Sequence, residues 1–155
     1  MARFNYRLQG VLNLRLQQEE QVKMEFAVAN KNLNDQLEIL DEYRRRKQEY
    51  IEEAYRLRNE SIMNVRDIVD NNYAEKQMDV MILNQEAVVE TYRAKYEMAR
   101  LKLTKAIQER KMQERLREKA FQQFVEEEKE AEAKEMDERT SFTYTQRARE
   151  QKEGD

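Results

Sequence analysis

Apolar residues recur every three or four positions over most of the chain, which is the spacing of one face of an α-helix. In the first half, the steps from Val22 to Leu40 are 4, 3, 4, 4 and 3. Steps of 4, 3 and 4 make an 11-residue repeat, close to the period of a straight helix. We therefore expect a first helix over about residues 4–66.

The second half has a more regular pattern, in which steps of four and three alternate. The positions are Met78, Ile82, Gln85, Val89, Tyr92, Tyr96, Ala99 and Leu103. This is a heptad seam with one polar interruption at Gln85, so we expect a second helix over about 75–138 that forms a coiled coil. From Arg139 the pattern is lost, and a frayed or disordered tail is expected over 139–155.

A turn between the two segments is predicted at about 67–74, where Asp70, Asn71 and Asn72 form a cluster of turn-forming residues. A short turn makes the two helices antiparallel neighbours. The expected fold class is therefore all-α: a single domain, 1–155, formed by a long antiparallel two-helix coiled coil, an α-hairpin rod. With this turn, the numbers of facing residues should add up to about 142.

Gly10 lies inside the apolar pattern of the first helix, where glycine costs roughly 1 kcal/mol relative to alanine. The expected register places it opposite Ala131 and Ala133, so that small residues on both helices would let the backbones approach closely. The alternative is that Gly10 is a tolerated weak point in a fraying end.

Composition supports long helices and argues against catalysis. The 155 residues include no Pro, Cys, His or Trp and only two Gly, 39% are charged, and the mean hydropathy is −1.11. Such a mixture is typical of coiled coils, with intrinsic disorder as the rival. Without Cys or His there is no thiol nucleophile, imidazole base or soft-metal site, so we expect no enzyme, cofactor, metal or small-molecule substrate.

The location and the class of partner are constrained more weakly. The first twenty residues hold no continuous apolar run, so no secretory signal is expected, and no stretch approaches a membrane span. The absence of cysteine fits a reducing, cytoplasmic compartment. A net charge of −3 argues against nucleic acid, and the basic run 44–47 is flanked by Asp41, Glu42 and Glu49.

Two features suggest protein partners. Residues 101–120 carry a net charge of +4 and residues 126–138 a net charge of −6, which indicates either solvated helix faces or a bipolar end offered to a partner. Near the expected turn, Met78, Met81 and Ile82 belong to an apolar run on more than one side of the helix. We expect these three side chains to contact a partner at the hairpin tip, with a capping contact or a local third helix as the alternative.

Both ends of the sequence resemble the FliJ family, the small coiled-coil component of the bacterial flagellar type III export apparatus. The opening "FNYRLQGVLNLR" is similar to the family's start, and "ERKMQERLREKAFQQFVEEEKEAEAKEMDE" is similar to its C-terminal helix. The centre, about residues 40–100, matches only in pattern.

The resemblance implies a function. FliJ-type proteins are non-enzymatic helical hairpins that resemble the central stalk of rotary ATPases. They bind and promote the hexameric export ATPase, link it to the cytoplasmic domain of the export gate membrane protein, and bind export chaperones. The expected location is cytoplasmic, peripherally associated with the inner-membrane export apparatus.

These implications can be assigned to residues of this chain. At the open end, the residues expected to contact the ATPase are Phe4, Leu8, Gln9, Leu12, Arg15, Phe121, Phe124, Asp137 and Glu138. At the hairpin tip, the expected gate contacts are Met78, Met81 and Ile82. The alternatives are the injectisome counterpart of FliJ and a structural coiled-coil scaffold that forms parallel dimers without an ATPase.

Overall fold

The computed structural model describes residues 2–154 and shows two long helices packed against each other. Helix α1 spans Gln9–Arg58 and helix α2 spans Val65–Glu153. The described residues contain no strand. The expected all-α hairpin is therefore confirmed.

The connection between the helices lies at residues 59–64, not at 67–74. Helix α1 ends where the Asn59 amide donates to the Arg56 carbonyl oxygen, and the Asn59 side chain donates to the Tyr55 carbonyl oxygen. Helix α2 begins with Asn64 as its N-cap, since its Oδ1 accepts a hydrogen bond from the Arg66 amide at 3.1 Å. Side chains of Asn satisfy backbone groups at both helix ends, which fixes the connection there.

The predicted turn residues lie inside α2. Asn71 is buried, and its Nδ2 donates to the carbonyl oxygen of Tyr50 at 2.9 Å. The side chain of Asn71, which suggested a turn, thus forms a polar contact between the two helices. The outer bounds also differ from the expected ones: residues 2–6 precede α1 without regular structure, and 139–153 are helical.

The chain divides into two compact units. Residues 18–107 form one, and residues 2–17 together with 108–154 form the other. The first of these, the middle unit, contains the segment of α1 from residue 18, the connection and the first part of α2. Its best-buried core is Leu33, Leu40 and Val89, against which Leu37, Ile82, Tyr92 and Tyr96 pack.

The buried stripes of the middle unit follow heptad spacing on both helices. In α2 the eight predicted seam residues from Met78 to Leu103 are all buried or half-buried, as expected. In α1 the six apolar positions of the predicted repeat, from Val22 to Leu40, are buried or half-buried as well. Gln36, Tyr43 and Lys47 are also half-buried, so the stripe of α1 continues in steps of four and three once these side chains are included.

The register of the middle unit differs from the expected one. Residue numbers add up to 121 for the bonded pairs Tyr50–Asn71 and Gln36–Gln85, and to 122 for the stacked rings of Phe26 and Tyr96, 5.2 Å apart. The expected sum was about 142. A hairpin pairs residues around its turn, so moving the turn by about ten residues moves each partner by about twenty.

The second unit, the end unit, has a small core of its own in which Leu12 is buried. Phe4, just before α1, contacts Phe121 and Phe124 of α2. Beyond Glu128, every described residue of α2 except the half-buried Ala148 is exposed. The C-terminal segment 129–153 is thus a helix without a packed partner in its unit.

The structure contradicts the close approach expected at Gly10. A Cβ built on Gly10 has no atom within 4 Å, and Ala131 and Ala133 are exposed in the segment beyond the packed residues. Gly10 is the second residue of α1, where helix propensity counts less than in the interior. It is a tolerated residue in open space.

Candidate functional site

The open end, defined here as residues 2–17 and 108–128, carries a cluster of three phenylalanines. The ring centroids of Phe4 and Phe121 are 5.2 Å apart with an interplanar angle of 76°, an edge-to-face contact. The centroids of Phe4 and Phe124 are 5.4 Å apart. Aromatic pairs of this geometry contribute about 0.5–1.5 kcal/mol beyond their buried area, so they anchor the residues before α1 onto α2.

Polar contacts surround this cluster. The Arg117 Nε donates to the Gln9 Oε1 at 3.1 Å, and the Arg117 guanidinium lies 6.0 Å from the centroid of the Phe4 ring. One to two turns deeper, the Arg15 Nη1 lies 2.8 Å from the Glu109 Oε2, both side chains being about one-third exposed. The open end is therefore a defined structure with charged groups at its surface.

The structure brings together most of the residues predicted for the open end, but they do not share one role. Phe4, Gln9, Phe121 and Phe124 belong to the aromatic cluster and its polar rim. Arg15 forms the deeper ion pair, and Leu12 is buried and unable to reach a partner directly. Leu8 is exposed and available to a partner.

The acidic pair Asp137 and Glu138 lies elsewhere. Both residues are exposed in the unpartnered segment of α2, about 20 Å along the helix from Phe124 at 1.5 Å per residue. They are thus separate from the aromatic cluster. The open end also exposes apolar residues that are not among the predicted site residues: Val11, Leu14, Met112 and Leu116.

The residues predicted for the hairpin tip are mostly core residues. Met78 is 5% exposed, and Ile82 packs against the core of the middle unit. Met81 is 36% exposed, so only part of its side chain could reach a partner. Because the turn lies earlier in the chain, these side chains fall in the seam and not at the tip.

Other apolar residues are exposed around the connection. The tip patch, as we name it, consists of Tyr55, Ile62, Met63, Val65, Val69 and Tyr73, each of which is at least 59% exposed. Val65, Val69 and Tyr73 recur every fourth residue and so lie on one face of α2. The break in the heptad pattern between Leu57 and Ile68 is the sequence signal that could have located this tip.

The basic run 44–47 forms ion pairs within the middle unit. Arg44 and Lys47 reach Glu86 and Asp79 of α2 at 3.4 and 2.6 Å. The contact with Asp79, mainly a hydrogen bond, raises the pKa of Lys47. Arg45 and Arg46 pair with acids four residues earlier in α1, Asp41 and Glu42. A fully paired basic run fits a structural role better than a phosphate-binding one.

No described helix is long and apolar enough to cross a membrane. No group of three or more potential metal ligands is present among residues 2–154.

A comparison with known protein families identifies a match that covers most of the chain. The sequence model of the family described as flagellar FliJ protein matches residues 4–149, nearly the whole chain. Searches of curated proteins and of solved structures return no significant match.

Proposed function

Since this chain belongs to the FliJ family, whose members are components of the flagellar export apparatus, we propose that it binds and promotes the hexameric export ATPase of that apparatus. The family is a non-enzymatic export component, and we extend that property to this chain. The family assignment favours the flagellar system over the injectisome. The fold argues against the parallel dimeric scaffold, because each chain pairs its own two helices.

The open end is the surface that we assign to the ATPase. The observation that carries this assignment is the aromatic cluster of Phe4, Phe121 and Phe124, rimmed by Arg117 and Gln9. A compact apolar anchor with a polar rim is the usual composition of a binding hot spot. Leu8 adds an exposed apolar side chain beside it.

The tip patch is the surface that we assign to the cytoplasmic domain of the export gate. This assignment replaces the expected gate contacts at Met78 and Ile82. The side chain of Met78 is buried, and that of Ile82 packs against the core of the middle unit. Ile62, the residue at the centre of the connection, is 87% exposed, and neighbouring apolar side chains are exposed with it. Exposed apolar groups concentrated at one place mark an interaction site.

Chaperone handling and location complete the proposal. We propose that the protein also binds export chaperones and works in the cytoplasm, peripherally at the inner-membrane export apparatus. Family membership supports both statements at the level of the apparatus.

Hydrolysis of ATP by the matching flagellar export ATPase tests the proposal. The assay compares the rate with and without this protein over a range of ATPase concentrations. Stimulation that is strongest at low ATPase concentration is expected, because a chain that promotes ring assembly matters most where the ring is dilute. Unchanged hydrolysis at every concentration, together with no co-elution, would overturn the proposal.

A further inference from the structure

One outward face of α2 in the end unit carries charges of both signs in separate halves. Eight exposed residues fall within an arc of about 60° at 100° per residue: Gln108, Met112, Arg115, Lys119, Glu126, Glu130, Ala133 and Asp137. The less exposed stripe that includes Gln113 and Phe124 lies about 140° away around the helix. We name these eight residues the bipolar face.

The charges of the bipolar face form no ion pair among the residues that the structure describes. These charges include Arg115, Lys119, Glu126 and Glu130. Charged side chains on other faces of the same helix do form ion pairs. An example is Arg110, whose guanidinium lies 2.9 Å from the Glu114 carboxylate. Arg115 and Glu130 are about 22 Å apart along the helix axis, too far to meet in one copy.

A second copy of the same helix, running antiparallel, satisfies these charges at a single register. With the two-fold axis between residues 122 and 123, Lys119 faces Glu126 and Arg115 faces Glu130 of the other copy. The same register places Met112 against Ala133. Because the contact is isologous, each of these pairs occurs twice.

We propose that the bipolar face is a self-association surface, on which two copies of this chain pair through antiparallel α2 helices. A second copy is the occupant that the face indicates, since its basic and acidic halves complement each other at equal distances from one point. Another acidic or basic helix would match only one half. Met112, 61% exposed, and Leu116 beside the face supply apolar area to the contact.

Two charge reversals provide a stringent test. In the proposed dimer, residue 115 of one copy faces residue 130 of the other. The Arg115→Glu variant therefore places two negative charges opposite each other, and the Glu130→Arg variant places two positive charges there. Each variant alone should therefore dimerise at least about tenfold more weakly than the wild type, because opposite charges are replaced by like charges twice per dimer. An equimolar mixture of the two variants restores both pairs and should recover dimers.

Analytical ultracentrifugation of the full-length chain up to about 100 μM, at about 50 mM and about 500 mM NaCl, measures the association. Wild-type dimers at low salt that dissociate at high salt are expected. Glu132→Arg is the matched control, since it makes the same charge change about 130° away from the bipolar face and should leave dimerisation unchanged.

Three results would overturn the proposal: a wild-type monomer at all concentrations in low salt, equal weakening by Glu132→Arg, or a mixture that stays monomeric. All substituted positions are exposed, and circular dichroism of each variant verifies that the helices are intact. The outcome does not depend on the ATPase assay, so the two proposals fail separately.

Discussion

The side chain of Gln85 in α2 donates from its Nε2 to both the backbone oxygen and the Oε1 of Gln36 in α1, at 3.0 and 2.8 Å. This polar layer adjoins the core of Leu33, Leu40 and Val89. A polar pair in the seam of a coiled coil specifies the register at some cost in stability. Together with the Asn71–Tyr50 hydrogen bond, it identifies which residues of the two helices face each other.

The first prediction concerns this register. Because Leu33 and Val89 share one core cluster, the double variant Leu33→Cys/Val89→Cys should form an intramolecular disulfide under mild oxidation. The chain has no natural cysteine, so each bond is unambiguous. The matched control is Leu40→Cys/Leu103→Cys. These two cysteines would form a disulfide only in the register in which the numbers of facing residues add up to about 142. Faster bonding in the control, measured by non-reducing electrophoresis and mass spectrometry, would refute the register.

Leu40 in the core and Leu83 on the surface provide a test of packing. Leu40 is 5% exposed and Leu83 is 67% exposed, although both are leucines in long helices. Leu40→Ala should lower the free energy of unfolding by about 2–4 kcal/mol. Leu83→Ala should change it by no more than about 0.5 kcal/mol. Urea denaturation followed by circular dichroism measures both, and equal losses would show that the seam is wrongly located.

The unpartnered segment 129–153 should be the least protected part of α2. Its residues have almost no burial, and most helical stability in proteins comes from tertiary packing, which this segment lacks in its unit. Amide hydrogen exchange of the free protein should therefore be at least about 100-fold faster there than in residues 78–106 of the seam. Equal protection in the two ranges would mean that another surface covers the segment.

The hydroxyl group of Tyr6 is buried at the open end without a hydrogen-bond partner among the described residues. A buried polar group that lacks a partner costs free energy on folding. Tyr6→Phe should thus leave the melting temperature unchanged or raise it. Arg15→Ala, which breaks the ion pair with Glu109, is the contrasting variant and should lower it slightly. A clear loss of stability in Tyr6→Phe, measured by thermal denaturation, would indicate an unseen partner of the hydroxyl group.

Hydrophobic spacing predicted the helices and the α2 seam, because apolar side chains at positions such as Val89 and Tyr96 need one common face. The position of the turn was predicted instead from turn-forming side chains, and that prediction is wrong. Asn71 has turn chemistry, but the hydrogen bond to Tyr50 makes it a core residue. Asn59 and Asn64 have the same chemistry and do end the helices. Local propensity cannot distinguish these cases, since tertiary contacts decide them.

The misplaced turn explains the errors at the candidate sites. It moved Met78 and Ile82 to the tip, although both lie in the seam. It also paired Gly10 with Ala131 and Ala133. As a result, the segment of α2 that has no packed partner in its unit was expected to be packed. The aromatic cluster is less affected by this error, because the assignment of Phe4 and Phe124 to the open end follows from the family resemblance and not from the register.

In the proposed function, the open end acts on the export ATPase and the tip patch does not. The most direct test measures ATPase stimulation by two double variants, Phe4→Ala/Phe124→Ala at the open end and Ile62→Ser/Met63→Ser at the tip. The open-end variant should need an at least about tenfold higher concentration to stimulate the ATPase, while the tip variant should match the wild type. Full stimulation by the open-end variant, with loss in the tip variant, would show that the tip patch and not the open end acts on the ATPase.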